Sequence, residues 1–321
     1  MDIYEIIKNS LKQLDYNPEV INGDNPLVGG GKYERFVFVG MGGSALAPDV
    51  LKIIKPEIDL IIHRDYGLPS LPDQILAKCL IVLNSYSGNT EEVLDAFNVA
   101  LKKKLPMAVI TVGGRLLELA KENGVPFIQM PDLGLQPRLA VGLNLRAVFK
   151  ITGQDKEIEM LSQLKFDGES RGKEVAEKIK GFIPIIYSSR KNGSLAYLWK
   201  IKINEFVKRP SFSNVFPEIN HNEMAGFYGD KISNLLNNNF GFIFLKDTED
   251  GPRVLKRMET MEKILKDRNF PVEVVEISNS NNLQKVFSVL NLSDWMAYYL
   301  AKESGTDPAD ISMIEEFKKL I

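Results

Sequence analysis

The run Phe36-Val-Phe-Val-Gly-Met-Gly-Gly-Ser-Ala-Leu-Ala47 and its counterpart Cys79-Leu-Ile-Val-Leu-Asn-Ser-Tyr-Ser-Gly-Asn-Thr90 decide the fold. Each is a short apolar run that stops abruptly at small or hydroxyl residues and leads into helix-like sequence. Gly40, Gly42 and Gly43 permit backbone geometry and close approach that side chains forbid. Ser85, Ser87 and Thr90 crowd hydroxyls just after a strand. A helix beginning near Thr90 turns its free N–H groups and positive dipole end toward whatever occupies the loop, so an anion is the natural occupant. Two such loops after neighbouring strands suit a single phosphate held between them.

Outward from these loops, apolar runs alternate with helical spacing. Strands are expected at 36–39, 59–63, 80–83, 107–111 and 127–130, with helices through Val50 and Ile53, at 91–101 and at 116–122. Ile3, Ile7, Leu11 and Leu14 give an amphipathic opening helix, and 22–26 with Gly29 to Gly31 give a loop. Charged, helical sequence between 154 and 180 marks a junction, dividing the chain into 1–153 and 154–321. The pattern then restarts: strand 182–187, helix 195–207, an irregular Pro-containing segment 209–227, strand 240–245, helix 253–268, strand 272–277, and helices 283–304 and 310–320. Strands apolar on both faces and alternating with helices indicate the α/β class, with parallel sheets flanked by helices on both faces. The halves match in architecture without a repeat of residues.

The 321 residues, 44% hydrophobic and 26% charged, suffice for two cores of ordinary size. A formal charge of −2 argues against a nucleic-acid partner. A single cysteine, Cys79, rules out an intramolecular disulfide and a Cys-rich zinc site, and its apolar run reads as core. Glu5 and Lys8 interrupt the N-terminal apolar stretch, so no signal peptide is read, and no apolar run reaches membrane-spanning length. The expectation is a soluble cytoplasmic protein with no membrane partner.

Gly40-Met-Gly42-Gly43-Ser44-Ala45 also satisfies the dinucleotide fingerprint, with Asp65 where a ribose-binding acid would lie. A nicotinamide-dependent oxidoreductase is therefore a competing reading, but it leaves the hydroxyls of Ser85, Ser87 and Thr90 without a purpose. A Walker lysine is missing, as is the HxH or HxxE spacing of a metal site, so neither a P-loop nucleotide nor a metal is expected.

Gly42-Gly43-Ser44 followed by Asn84-Ser85-Tyr86-Ser87-Gly88-Asn89-Thr90-Glu91-Glu92 resembles the sugar isomerase (SIS) domain family, which binds phosphosugars. Gln136-Pro137-Arg138, Lys202-Ile203-Asn204-Glu205, Glu218-Ile219-Asn220-His221-Asn222-Glu223 and Tyr298-Tyr-Leu-Ala-Lys302 leading to Gly305-Thr-Asp-Pro308 resemble one branch of it, the bifunctional phosphoglucose/phosphomannose isomerases. The resemblance implies two SIS-like subdomains. It also implies a cofactor-free interconversion of glucose 6-phosphate, and of mannose 6-phosphate, with fructose 6-phosphate through a cis-enediol(ate). Gly42, Gly43, Ser44, Ser85, Ser87 and Thr90 would bind the phosphate.

Moving a proton between C2 and C1 requires a general base, and a carboxylate in an apolar setting suits the task. Glu205 shares a helical face with Leu198 and Ile201; the same spacing lets it pair on the surface with Lys202 or Lys208, and the resemblance selects it as the base. Of the two histidines, His63 ends a strand beside Arg64, whereas His221 sits in a polar loop where no core requires it. Histidine suits the ring-oxygen proton. The resemblance assigns His221 to ring opening and implies its donation across a homodimer. No exposed apolar stripe in the sequence identifies the dimer interface. The resemblance further implies that Arg138 steadies the enediolate charge, a task suited to a fixed guanidinium, and that Lys302, on the helical face of Trp295 and Tyr299, assists at the ring oxygen. Family members that accept both C2 epimers often carry a small residue, threonine in many, shortly before that lysine; here the stretch reads Asp294-Trp295-Met296-Ala297. A non-catalytic phosphosugar sensor would share the hydroxyl loops but would have no use for Glu205 and His221.

Overall fold

In a computed structural model of the chain, residues 2–22, 33–228, 239–278 and 281–320 are described. The loop expected at 22–31 therefore lies, from residue 23 onward, outside the described residues. The chain forms two compact units, 8–165 and 166–321, with residues 2–7 grouped with the second. The division falls 12 residues beyond the 153/154 boundary expected from sequence. Helix Asp155–Leu161 packs on helix Val141–Ile151, and Lys55 pairs with Glu157 at 2.7 Å, which ties that stretch to the first unit.

In the first unit the chain runs through strands β1 (Arg35–Val39), β2 (Asp59–His63), β3 (Leu80–Asn84), β4 (Met107–Thr111) and β5 (Phe127–Gln129). Helix α1 (Ile3–Lys8) groups through residue 7 with the second unit, and the helices of the first unit are α2 (Leu46–Ile54), α3 (Asp73–Leu76), α4 (Glu91–Lys102), α5 (Gly114–Glu122), α6 (Val141–Ile151) and α7 (Asp155–Leu161). The strands form one parallel sheet in the order β2-β1-β3-β4-β5. Val37, Val39, Ile81, Leu83 and Val109 bury one face against the α4 stripe Val93, Ala96, Phe97 and Ala100 and against Leu116 and Ala120 of α5. That i, i+3, i+4, i+7 spacing is why α4 forms where it does. Cys79 is buried in the same core, its Sγ donating to the Ile75 carbonyl at 3.2 Å. Helices α2 and α6 pack together, and α6 also packs on β4.

The second unit holds β6 (Ile183–Ser189), β7 (Phe212–Phe216), β8 (Phe240–Asp247) and β9 (Val272–Ile277), parallel and in the order β7-β6-β8-β9. Its helices are α8 (Glu169–Ile179), α9 (Gly193–Lys202), α10 (Pro252–Asp267), α11 (Asn282–Ser304) and α12 (Ser312–Leu320). Asn281 caps α11, its Oδ1 accepting from the Leu283 amide at 2.9 Å, and Gly305 ends the helix at φ +68°. One sheet face buries Ile185, Tyr187, Phe242 and Phe244 against Met258, Met261 and Leu265 of α10. Helix α9 packs on β6 and β7 and against α11, which in turn packs on α8. The segment 209–227, read as irregular, contains β7 as an edge strand. Among the described residues no helix is long and apolar enough to cross a membrane.

Both sheets reverse direction at the strand laid down first: β2 and β3 flank β1, as β7 and β8 flank β6. Ligands in open parallel sheets lodge at such a switch point, outside the carboxyl ends of the strands. In the first unit, Val39 of β1 lies in register with Leu83 of β3, so the glycine loop and the hydroxyl loop emerge side by side.

Candidate active site

The two loops brace each other through hydrogen bonds. The Tyr86 amide donates to Ser44 Oγ at 2.9 Å, and Asn84 Nδ2 donates to the Ser44 carbonyl and to Asn144 Oδ1, each at 2.9 Å. Ser85 is buried; its Oγ accepts from the Gly88 amide at 3.1 Å and lies 2.8 Å from Thr90 Oγ1. Thr90 is the residue before α4, yet its side chain makes no capping bond, since its hydroxyl is turned to Ser85. The Val93 amide returns to the Thr90 carbonyl at 3.1 Å, and the N–H groups ahead of it at the start of α4 are left uncapped by Thr90. Ser87 and Gly42 are exposed, Gly43 and Thr90 partly so. Gly88 has φ +72°, and a Cβ there would stand 1.8 Å from the Gly113 carbonyl oxygen, so only glycine fits this turn.

Arg138 belongs to the same unit. It lies in the short helical turn Pro137–Leu139, buried, and that turn runs against the glycine loop. Gln13 fixes the turn from behind, donating to the Leu139 carbonyl at 2.7 Å. The first unit thus gathers Gly42, Gly43, Ser44, Ser85, Ser87, Thr90 and Arg138. Burial pushes the Tyr86 phenol above its ordinary range, so it stays neutral in this cluster. His63 closes β2, its Nε2 bonded with the Tyr66 carbonyl at 3.1 Å.

Glu205, His221 and Lys302 belong to the second unit. Helix α9 does not continue to residue 207 as expected; from Ile203 to Val207 it widens into a π turn that ends at Lys208, φ +55°. Glu205 sits in this turn, half-buried, between the buried Ile203 and Phe206. Such turns are rare and recur at functional positions. Lys202 is buried and ion-paired with Asp294, and Lys208 donates to the main-chain carbonyls of Glu205 and Asp310. The π turn packs on α11, which carries the exposed Lys302 in its last turn.

His221 ends the turn Glu218–His221 and is exposed; among the described residues its ring makes no hydrogen bond. Ile219 and Phe227, on either side of it, are buried in the core beneath α10. Glu205 packs with α9 and α11 on the other face of the same sheet. Within one chain, therefore, the histidine and the glutamate are presented from opposite faces of the second sheet.

Two residues beyond those read from the sequence brace these loops: Asn144, which accepts from Asn84, and Tyr187, whose hydroxyl donates to Glu223 Oε1 at 2.6 Å beside the His221 turn. Asn144 interrupts the apolar run Leu143–Leu145, and a buried amide there needs a partner, which was the available signal. Tyr187 sits inside an apolar strand, where nothing in the pattern separates it from core.

A family model described as the bacterial phospho-glucose isomerase C-terminal SIS domain matches residues 168–321. A bifunctional phosphoglucose/phosphomannose isomerase of Aquifex aeolicus is 32% identical over 99% of this chain and 98% of its own. One from Thermoplasma volcanium is 35% identical over 91% and 92%. Among solved structures, a hypothetical protein of Thermus thermophilus aligns with a TM-score of 0.70 at 16% identity, covering 99% of this chain and 88% of that one.

Proposed function

The chain belongs to the bifunctional phosphoglucose/phosphomannose isomerase family, and from that premise we propose that it interconverts glucose 6-phosphate and mannose 6-phosphate with fructose 6-phosphate. The observation that carries the reading is the pair of mutually braced loops at the carboxyl ends of β1 and β3. The N–H groups opening α4 and the hydroxyls of Ser87 and Thr90 receive the phosphate, with Gly42 and Gly43 letting it approach the main chain. Ser44 Oγ accepts from Tyr86, which leaves its own proton to donate. Ser85 Oγ accepts from Gly88 and pairs with Thr90 Oγ1; with Ser85 as the donor of that pair, the Thr90 proton turns outward to the phosphate.

Ring opening comes first. His221 takes the proton of the anomeric hydroxyl while the ring oxygen gains one with help from Lys302, and the free aldehyde results. Glu205 then removes the C2 proton. The electron pair moves into a C1–C2 double bond and the charge onto O1, where the Arg138 guanidinium steadies it. A proton then passes from O2 to O1, and return of the carbon-bound proton from Glu205 to C1 closes the C2 carbonyl and gives the ketose. If the enediolate rotates about C2–C3 between the two transfers, one base serves both epimers.

The working form is a cytoplasmic homodimer in which His221 reaches the partner's site. Its exposure, and its placement across the sheet from Glu205, support that reading. So does α12, which exposes Met313 (82%), Ile314, Phe317 (61%) and Leu320 (79%) at helical spacing. The test is turnover of both aldose phosphates by the wild-type chain and by Glu205→Gln. Loss of about 10²–10⁴-fold in kcat with phosphate affinity retained is expected for removal of a general base. Near-normal turnover by the variant would refute the assignment.

A further inference from the structure

The His221 segment is fastened to the sheet by one carboxylate. Glu223, two residues beyond His221, receives the Tyr187 hydroxyl on Oε1 at 2.6 Å and Asn214 Nδ2 on Oε2 at 2.5 Å. Tyr187 on β6 and Asn214 on β7 are register partners, so the donors stand side by side and engage both oxygens. The Tyr187 ring is buried and packed by Phe216, Phe242 and Phe244 at centroid distances of 5.7–6.0 Å, which fixes its hydroxyl. Burial, reinforced by Glu223, raises the phenol far above its ordinary range, so it remains a donor at any working pH. On the other side, Asn222 Oδ1 receives the Glu223 amide at 2.5 Å, and Asn222 Nδ2 donates to Glu218 Oε1 at 2.7 Å. His221 lies inside that second link, between Glu218 and Asn222. The turn carrying it is therefore held at both feet while the imidazole itself stays in the open.

A surface histidine needs no such frame. An acid–base group does, because proton transfer falls steeply with misplacement of its atoms. We propose that Tyr187 and Asn214, acting through Glu223, are positioning residues that hold His221 in place for ring opening, an inference that rests on the role given to His221 above.

The test is a double-mutant cycle on the full chain, using Tyr187→Phe, His221→Ala and the double variant with glucose 6-phosphate as substrate. Tyr187→Phe keeps the ring and removes one hydroxyl. It should lower kcat by about tenfold to a hundredfold with KM near wild type, while the lost bond to a carboxylate lowers the thermal midpoint modestly and leaves the fold intact. In the His221→Ala background it should have no further effect. With two histidines in the chain, the ring C–H resonance of His221 is assigned by its loss in His221→Ala and should move in Tyr187→Phe while that of His63 stays. Glu223→Gln is the second variant and should move the same resonance. Equal losses in both backgrounds, or an unmoved His221 resonance in both variants, would overturn the proposal. Wild-type turnover by His221→Ala would instead overturn the role of His221 and this inference with it.

Discussion

Gly43 and Arg138 meet along their main chains: a Cβ on Gly43 would stand 2.7 Å from the Arg138 amide nitrogen and 2.6 Å from the Pro137 carbonyl carbon. This contact, between the loop after β1 and a turn about a hundred residues later, is what sets the Arg138 turn against the glycine loop. Gly43→Ala should therefore cost about 1–3 kcal/mol of stability, because main-chain atoms have to move apart. It should also lower turnover by displacing Arg138. Urea denaturation and steady-state kinetics check both; a variant unchanged in both would mean that the contact is not needed.

Ser85 and Ser87 should behave differently, although the sequence presents them alike. Ser85→Ala removes the buried hydroxyl that bonds the Gly88 amide and Thr90 Oγ1, leaving that amide the Ser85 carbonyl at 3.2 Å, and should cost about 1–1.5 kcal/mol in a thermal or urea melt. Ser87 is exposed, so Ser87→Ala should leave stability within about 0.5 kcal/mol. Its loss should appear in affinity for sugar phosphate, weakened about tenfold or more for a hydrogen bond to a charged group. Calorimetric titration separates the two. Equal stability losses would contradict the division of labour.

At the carboxyl end of the second sheet the corresponding crevice holds ions of the chain itself. Asp247, fully buried, receives Lys285 Nζ at 3.2 Å, Asn192 Nδ2 at 3.0 Å and Lys191 Nζ at 3.3 Å. Burial raises the Asp247 pKa, but these partners and the Glu249 amide outweigh it and leave the carboxyl below its ordinary value. A depressed carboxylate contributes stability that is fully present above its unfolded pKa, about 3.9, and is lost as pH falls through the folded value. Lys285→Met should cost about 1.5–3 kcal/mol near neutral pH by removing one of the two ammonium groups that face this buried carboxylate, with Asn192, the Glu249 amide and Lys191 still in place. The difference from wild type should shrink in acid as Asp247 protonates. A pH-independent difference in urea melts would contradict this.

Where function demanded unusual backbone, the sequence was legible. Glycines and hydroxyls cannot extend an apolar strand, so the loops at 40–45 and 84–90 announced themselves, and with them the parallel sheet. β7 was hidden because Pro210 and Pro217 bracket it and read as breakers, whereas proline flanking an edge strand removes no ladder bond. α6 is buried on nearly every side and so lacks the polar stripe that marks a helix. The π turn at Glu205 has no compositional signature; its one extra residue shows only once the backbone is known. The apolar face of α12 was equally silent, since exposure is a tertiary property.

The proposed donation of His221 across a dimer has a distinctive consequence. Glu205→Gln and His221→Ala homodimers are each expected to be nearly inactive. Mixed one to one and allowed to exchange subunits, they should form heterodimers with one intact site of two, recovering about a quarter of wild-type activity. Assembly is read by light scattering and recovery by turnover. No recovery from demonstrably mixed dimers would place His221 in its own subunit's site.

The most direct test of the central claim is the fate of solvent deuterium. EDTA-treated protein is incubated in deuterated water with glucose 6-phosphate or with mannose 6-phosphate, and product is followed by NMR. Fructose 6-phosphate arising from both, with deuterium at C1 and at C2 of recovered aldose, is the expected result, and Glu205→Gln should abolish it. Product without exchange of the carbon-bound proton would contradict proton shuttling by a solvent-accessible base, and no product from either sugar would contradict the proposed activity itself.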